Sequence, residues 1–182
     1  MVPQGMHSMV DRMIRASRLD VHIFEEVEAD TSATRQALSV VFLVALATGI
    51  ASISMGTVGL PGVLVGVVAA VVGWAIWAWV IYFIGTKILP EHETHADWGQ
   101  LARSLGFAQS PGVLRVFVVV PGVGSIIFLV VSVWMLVSMV IAVRQALDYT
   151  STLRAIGVVL LGFIPYVLMY LAFTILMWDM GP

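Results

Sequence analysis

The sequence predicts an all-α fold, a polytopic helical membrane protein with five transmembrane helices, the third short or broken, and an amphipathic N-terminal segment. Three observations carry this. Hydrophobic residues make up 60% of the chain and charged ones only 11%, at a mean hydropathy of +1.00, against roughly 45–50% and 25% in soluble domains. Two long runs, 37–86 and 116–143, contain no charged side chain. Each is too long for one crossing of a ~30 Å hydrocarbon core, and each is divided by glycine and proline. The expected organisation is a cytoplasmic segment, 1–36, followed by a five-span membrane unit, 37–182.

The N-terminal segment does not read as a cleavable signal peptide, because its first hydrophobic run begins late. Helical spacing puts Met6, Met9, Val10 and Met13 on one face and Arg12, Arg15 and Arg18 on the other. Such a helix either anchors to anionic headgroups or packs against the rest of the protein. Glu25, Glu26, Glu28 and Asp30 form an acidic patch, read as a solvated turn, and Asp30, Thr31 or Ser32 can cap the next helix.

Fifty uncharged residues, 37–86, supply the first two spans, divided at 56–62 where glycines and Pro61 concentrate. Gly62, Gly66, Ala69 and Gly73 form a small-residue stripe suited to close helix contact, within one chain or between two. Trp74 lies too deep for an interfacial belt, so its indole N–H requires a buried partner.

The loop at 87–110 holds Glu91, His92, Glu93, His95 and Asp97, ligand types for a divalent metal but without a specific spacing, so a hydrated loop explains them equally. Trp98, Leu101, Ala102 and Leu105 share one helical face, which predicts a helix lying along the membrane surface. The apolar piece at 111–120 is short and carries Arg115, a candidate functional residue whose long stem could also snorkel to the cytoplasmic headgroups. If this piece crosses, all nine Lys and Arg fall on one side, the arrangement favoured by the positive-inside rule. The N-terminus is then cytoplasmic and the C-terminus outside. Pro121, Gly122 and Gly124 mark the reversal into the fourth span. Arg144 and Asp148, four residues apart, are candidates for a helix-surface pair. Thr150 or Ser151 caps the last helix, which contains Pro165 and ends near Trp178 at the outer interface.

Three stretches, RLDVHIFEEVEADTSATRQAL, ADWGQLARSLGFAQSPGVLRVF and PGVGSIIFLVVSVWMLVSMVIAVRQALDYTSTLRAIGVVLL, in this order and spacing, resemble the YIP family, the Ypt/Rab-interacting proteins, in its bacterial branch. The resemblance implies five helical spans, a cytosolic N-terminal region and, in the bacterial branch, a place in the inner membrane. Eukaryotic members act as membrane scaffolds in vesicle traffic and contact Rab-type GTPases; this chain's N-terminal region is short, and the family offers no catalytic motif to carry over.

A net charge of −2 with dispersed basic residues gives no reason to expect a nucleic-acid partner. The absence of cysteine excludes disulfides and a thiol nucleophile. No GxSxG surrounds a serine, and no carboxylate or histidine lies in the first, second, fourth or fifth span, so no catalytic residue, metal site or cofactor is assigned. The expected function is a non-enzymatic scaffold or accessory protein organising other membrane proteins or the bilayer, or a subunit of a larger complex. A small-solute or ion transporter or channel is the alternative, resting on the broken third span and Arg115. Expected partners are the lipid bilayer, other membrane proteins and, as a further option, copies of the chain itself.

Overall fold

The computed structural model describes residues 8–92, 94 and 96–179. Among these the chain is helical without strands: α1 (Met9–Ser17), α2 (Val21–Ala29), α3 (Ala33–Ser54), α4 (Leu60–Phe83) extended by a π-turn at Ile84–Ile88, α5 (Trp98–Ala108), a 3₁₀ helix at Ser110–Val119, α6 (Gly124–Ala146) and α7 (Thr152–Asp179). Among the described residues, three helices are long and apolar enough to cross a membrane: Ala33–Ser54, Leu60–Ile88 and Gly124–Ala146.

These helices are hydrophobic all round, as expected of elements that meet protein on one side and lipid on the other. Small side chains face inward, among them Ala33, Ala37, Ala47 and Ala51 of α3 and Ala142 and Ala146 of α6. Leu64, Val65 and Val68 of α4 and Ile126 and Leu129 of α6 stand outward.

The centre of the molecule is α5. It was expected on the membrane surface, but Leu101 through Ala108 are buried on every side by α2, α3, α4 and α6. A Cβ on Gly106 would lie 2.7 Å from the Ala37 Cβ and 3.2 Å from the Ala37 main chain, so the α3 and α5 backbones nearly touch. Its start is a capping box: the Asp97 carboxylate accepts from Gln100 N–H at 2.9 Å, and the Gln100 side chain accepts from Asp97 N–H at 2.6 Å. The Trp74 indole donates to Ala102 O at 3.0 Å, the buried partner that its depth required. Arg103 reaches the opposite side and donates to Val27 O at 2.9 Å and to Glu28 O, occupying carbonyls at the α2 C-terminus.

After Gln109 the chain tightens into the 3₁₀ helix. Ala37 meets Gly106, Val44 meets Gly112 and Thr48 faces Arg115, so this segment runs beside α3 in the same direction. Gly112 also touches Met135, and Gly124 abuts Val118 O, so α6 returns antiparallel to it. The reversal at 121–123 needs φ +82° at Gly122, which a side chain would strain. α7 runs antiparallel to α4, with Trp77 against Phe163 at 4.7 Å between ring centroids.

The N-terminal helices depart most from expectation. Arg12 is 2% exposed and faces inward, donating to Glu26 at 2.9 Å, Asp30 at 2.7 Å and Gln36 at 3.0 Å. Arg15 bridges Asp20 at 2.9 Å and Glu26 at 2.6 Å. The acidic patch is therefore no solvated turn; Glu26 and Asp30 dock α1 onto α2. Val10 and Ile14, by contrast, are 58% and 47% exposed. Met6 lies outside the described residues.

The small-residue stripe on α4 is not where this chain's helices approach most closely. Added Cβ atoms at Gly66 and Gly73 would meet nothing within 4 Å, and one at Gly62 would meet only Val58 of the preceding turn. Gly106→Leu should therefore destabilise the protein by about 1–3 kcal/mol or prevent folding, whereas Gly66→Leu should leave the melting temperature in detergent close to wild type. Equal melting of the two variants would contradict this assignment of the close approach.

Candidate functional site

Two regions gather polar groups in settings that could serve a function. The first is a cavity of about 290 Å³ between α3, α4, α6 and the 3₁₀ helix. Its walls include Val41, Val44, Val63 and Met135, with Gly62, Gly66 and Ala70 along one side. Its polar groups are Thr48, Ser52, Gln109 and Arg115. Arg115 enters because the 3₁₀ helix carries it down the α3–α6 seam. Its guanidinium donates to Thr48 Oγ1 at 3.4 Å and Ser132 Oγ at 3.2 Å, both long, and lies 5.0 Å from the centre of the Phe128 ring. Its Nε–H is buried without an acceptor, and no described carboxylate pairs with it.

The Arg115 side chain turns into the seam toward Thr48 and Ser132. Thr48 is six residues from the far end of α3, about 9 Å at 1.5 Å per residue, so Arg115 sits near the end of the bundle formed by the 55–59 and 120–123 connections. Pro121, Gly122 and Gly124 build that end of the bundle, where they shape the turn and bring no reactive group.

The second region is a polar cleft at the opposite end, lined by Glu25, Glu28, Arg144, Gln145, Asp148, Tyr149 and Thr150. The predicted Arg144–Asp148 pair is absent. Asp148 has left the helix at φ +54°, and Arg144 instead donates to the carbonyls of Tyr149 and Thr150 at 3.2 and 3.4 Å. Gln145 donates to Glu25 at 2.8 Å, joining α6 to α2. Burial, then the neighbouring Asp148 charge, pushes the Glu28 carboxyl up to about 7.

Beside the cleft, Tyr149 closes a structural knot. Its hydroxyl lies 2.9 Å from Gly85 O and 2.6 Å from Leu89 O, so one proton is shared between carbonyls at and just beyond the π-turn. Burial pushes this phenol up to about 12, keeping it a donor. Glu91 accepts from Thr150 N–H at 2.9 Å, from the Thr150 hydroxyl at 2.8 Å and from Ser151 N–H at 3.4 Å. The start of α7 is thus capped by a residue 60 positions away. These bonds, the Thr150 N–H first, hold the Glu91 carboxyl below its ordinary range. Of the five candidate metal ligands, Glu91 and Asp97 are engaged at helix ends, and Glu93 and His95 lie outside the described residues. Among the described residues no group of three ligand-type side chains converges. The Trp178 side chain also lies outside them.

Apolar helices with outward-facing aliphatic side chains, closed by polar knots at one end, define an integral membrane protein. The model of the Yip1 domain family matches residues 21–174, from α2 into α7, and the chain belongs to that family. No curated protein and no solved structure matches it.

Glu28 makes the cleft sensitive to pH. Unfolded, its carboxyl titrates near 4.5; folded, near 7. Between these values the folded chain holds a proton that the unfolded chain has lost, so stability falls as pH rises through the window. Melting in detergent should therefore be lower at about pH 8 than at about pH 6, and Glu28→Gln should shrink the difference. An unchanged difference in that variant would remove Glu28 as its source.

Proposed function

We propose that the protein works by association, as a non-enzymatic scaffold or accessory subunit that organises other membrane proteins or the bilayer around it. The observation that carries this reading is the orientation of α1. Its arginines are committed inward to Glu26, Asp30 and Gln36, while Val10 and Ile14 stand outward. Beside them runs an apolar groove lined by Met9, Met13, Leu43, Leu114 and Trp134. The Trp134 indole donates to Ser17 O at 2.8 Å and holds the end of α1 against the middle of α6. A fixed helix with a bare apolar face suits an apolar helix of another membrane protein. Membership of the Yip1 domain family supports a membrane-associated role without catalysis. Arg115 in its cavity favours the second reading, transport of a small solute or ion.

The working topology has five spans, with α5 and the 3₁₀ helix together making the third and α7 the fifth. In it the 1–36 segment covers the cytoplasmic end of the 37–182 unit, the C-terminus lies outside, and the membrane is the inner membrane of a bacterium. The parallel course of α3 and the 3₁₀ helix, and the antiparallel return of α6, support this path. The chain has no native cysteine. Single cysteines at Gly59 and Val123 should react with a membrane-impermeant thiol reagent in intact cells, while one at Thr94 or Thr150 should not. Outside labelling at Thr150 would leave four spans rather than five.

Association is tested by mild solubilisation, pull-down and mass spectrometry of wild type and the Val10→Asn/Ile14→Asn double variant. Both positions are exposed, so the variant should melt like wild type, and it should lose a reproducible partner. Deleting the whole helix is a poorer test, because it also removes Arg12. Solute flux in liposomes containing the purified protein alone would replace this reading with transport.

A further inference from the structure

Among the described residues Arg115 is a cation without a counter-charge, in a wall of mostly apolar side chains. The described cavity lining contains no acid: beyond Arg115 its polar side chains are Thr48, Ser52 and Gln109. A guanidinium in such a setting is costly unless an anion or a full set of acceptors answers it. Here two hydroxyls answer it at long distances, and the Nε–H has no acceptor. The volume, about 290 Å³, is at the small end of ligand pockets. It exceeds what a single small anion needs, and most of the remaining wall is aliphatic. Along one side Gly62, Gly66 and Ala70 leave a smooth face, and a Cβ on Gly66 would meet nothing.

We propose that this cavity is a binding site for a membrane lipid with a net anionic headgroup. The Arg115 guanidinium, its Nε–H without an acceptor, receives its charged oxygens, and the Gly62–Gly66–Ala70 face of α4 receives the first part of an acyl chain. Depth agrees with a lipid rather than a dissolved ion. Arg115 lies about 9 Å inside the end of α3 and stacks on Phe128, four residues into α6. A headgroup drawn slightly below the interface reaches that level while its chain stays in hydrocarbon. The absence of an acid among the described lining residues selects against a zwitterionic headgroup, whose ammonium would find no partner. This inference is independent of the association reading, because neither α1 nor its groove contributes to the cavity.

The test is native mass spectrometry of the full chain in mild detergent, supplied in turn with phosphatidylglycerol, phosphatidylcholine and inorganic phosphate. Wild type should retain one phosphatidylglycerol, retain phosphatidylcholine at least roughly tenfold less, and not release its lipid to an equal concentration of phosphate. Arg115→Gln, which keeps the shape but not the charge, should lose about tenfold or more in retention. Gly66→Leu, which fills the acyl side where space is open, should do the same at an unchanged melting temperature. Equal retention of the two lipids, or wild-type retention by folded Arg115→Gln, would overturn the proposal. So would displacement by phosphate, which would make the site one for a soluble anion. If Arg115→Gln fails to fold, Gly66→Leu decides alone: undiminished retention of phosphatidylglycerol overturns the site.

Discussion

The Arg12 guanidinium reaches three acceptors at once, Glu26 and Asp30 on and just beyond α2 and Gln36 on α3, and this geometry determines which way α1 faces. With Arg12 satisfied inward, Val10 and Ile14 on the far side of α1 turn outward, while Ala16 stays buried. Loss of one member would strand buried charge, a change that typically costs about 3–5 kcal/mol. Lysine would not substitute, because a point charge lacks the planar fork that serves three separated oxygens. Asp30 is further prepared for the role: hydrogen bonds from the Ser32 hydroxyl, and then from Arg12, hold its carboxyl below the ordinary range. The cluster thus ties α1 to α2 and α3, while Arg103 and the buried Ile23, Phe24 and Val27 seat α2 over α5.

Much of the helical framework is legible in the sequence because the signals are local. Charge-free runs, Pro61 at the start of α4 and the Pro121–Gly124 turn act through backbone geometry and transfer energy, which depend little on distant residues. The Trp74 partner was also foreseeable, since depth alone demands an acceptor for an indole N–H. What could not be read is the third dimension of amphipathicity. The periodicity of α1 and α5 correctly marks them as helices, yet periodicity does not say which medium lies beyond each face. Arg12 faces a protein interior already holding two carboxylates, and α5 is covered on its polar side by α2.

The polar sites were less legible, for a related reason. Glu91 caps α7, Tyr149 serves the π-turn and Arg103 serves α2; these bonds join residues 59, 64 and 76 positions apart. Nothing in the local sequence distinguishes such a carboxylate from a solvated one. Arg144 and Asp148 illustrate the opposite error: their spacing implies a pair only while the helix continues, and it has ended before Asp148. Arg115 stood out as a charge in an apolar run, but its neighbours come from α3 and α6, which the chain brings beside it only on folding.

The 3₁₀ helix at Ser110–Val119 has a geometrical consequence of its own. At about 2.0 Å per residue its ten residues advance roughly 20 Å, where an α-helix would advance about 15 Å. The same winding that lengthens the strut makes it slimmer. The hollow beside Arg115 is walled chiefly by α3 and α4, and of the strut's residues it is Arg115 that lines it. Rewinding these residues into an α-helix would shorten the strut by about 5 Å and turn Arg115 relative to Thr48 and Ser132, so the reach of the segment and the placing of its cation follow from one choice of pitch.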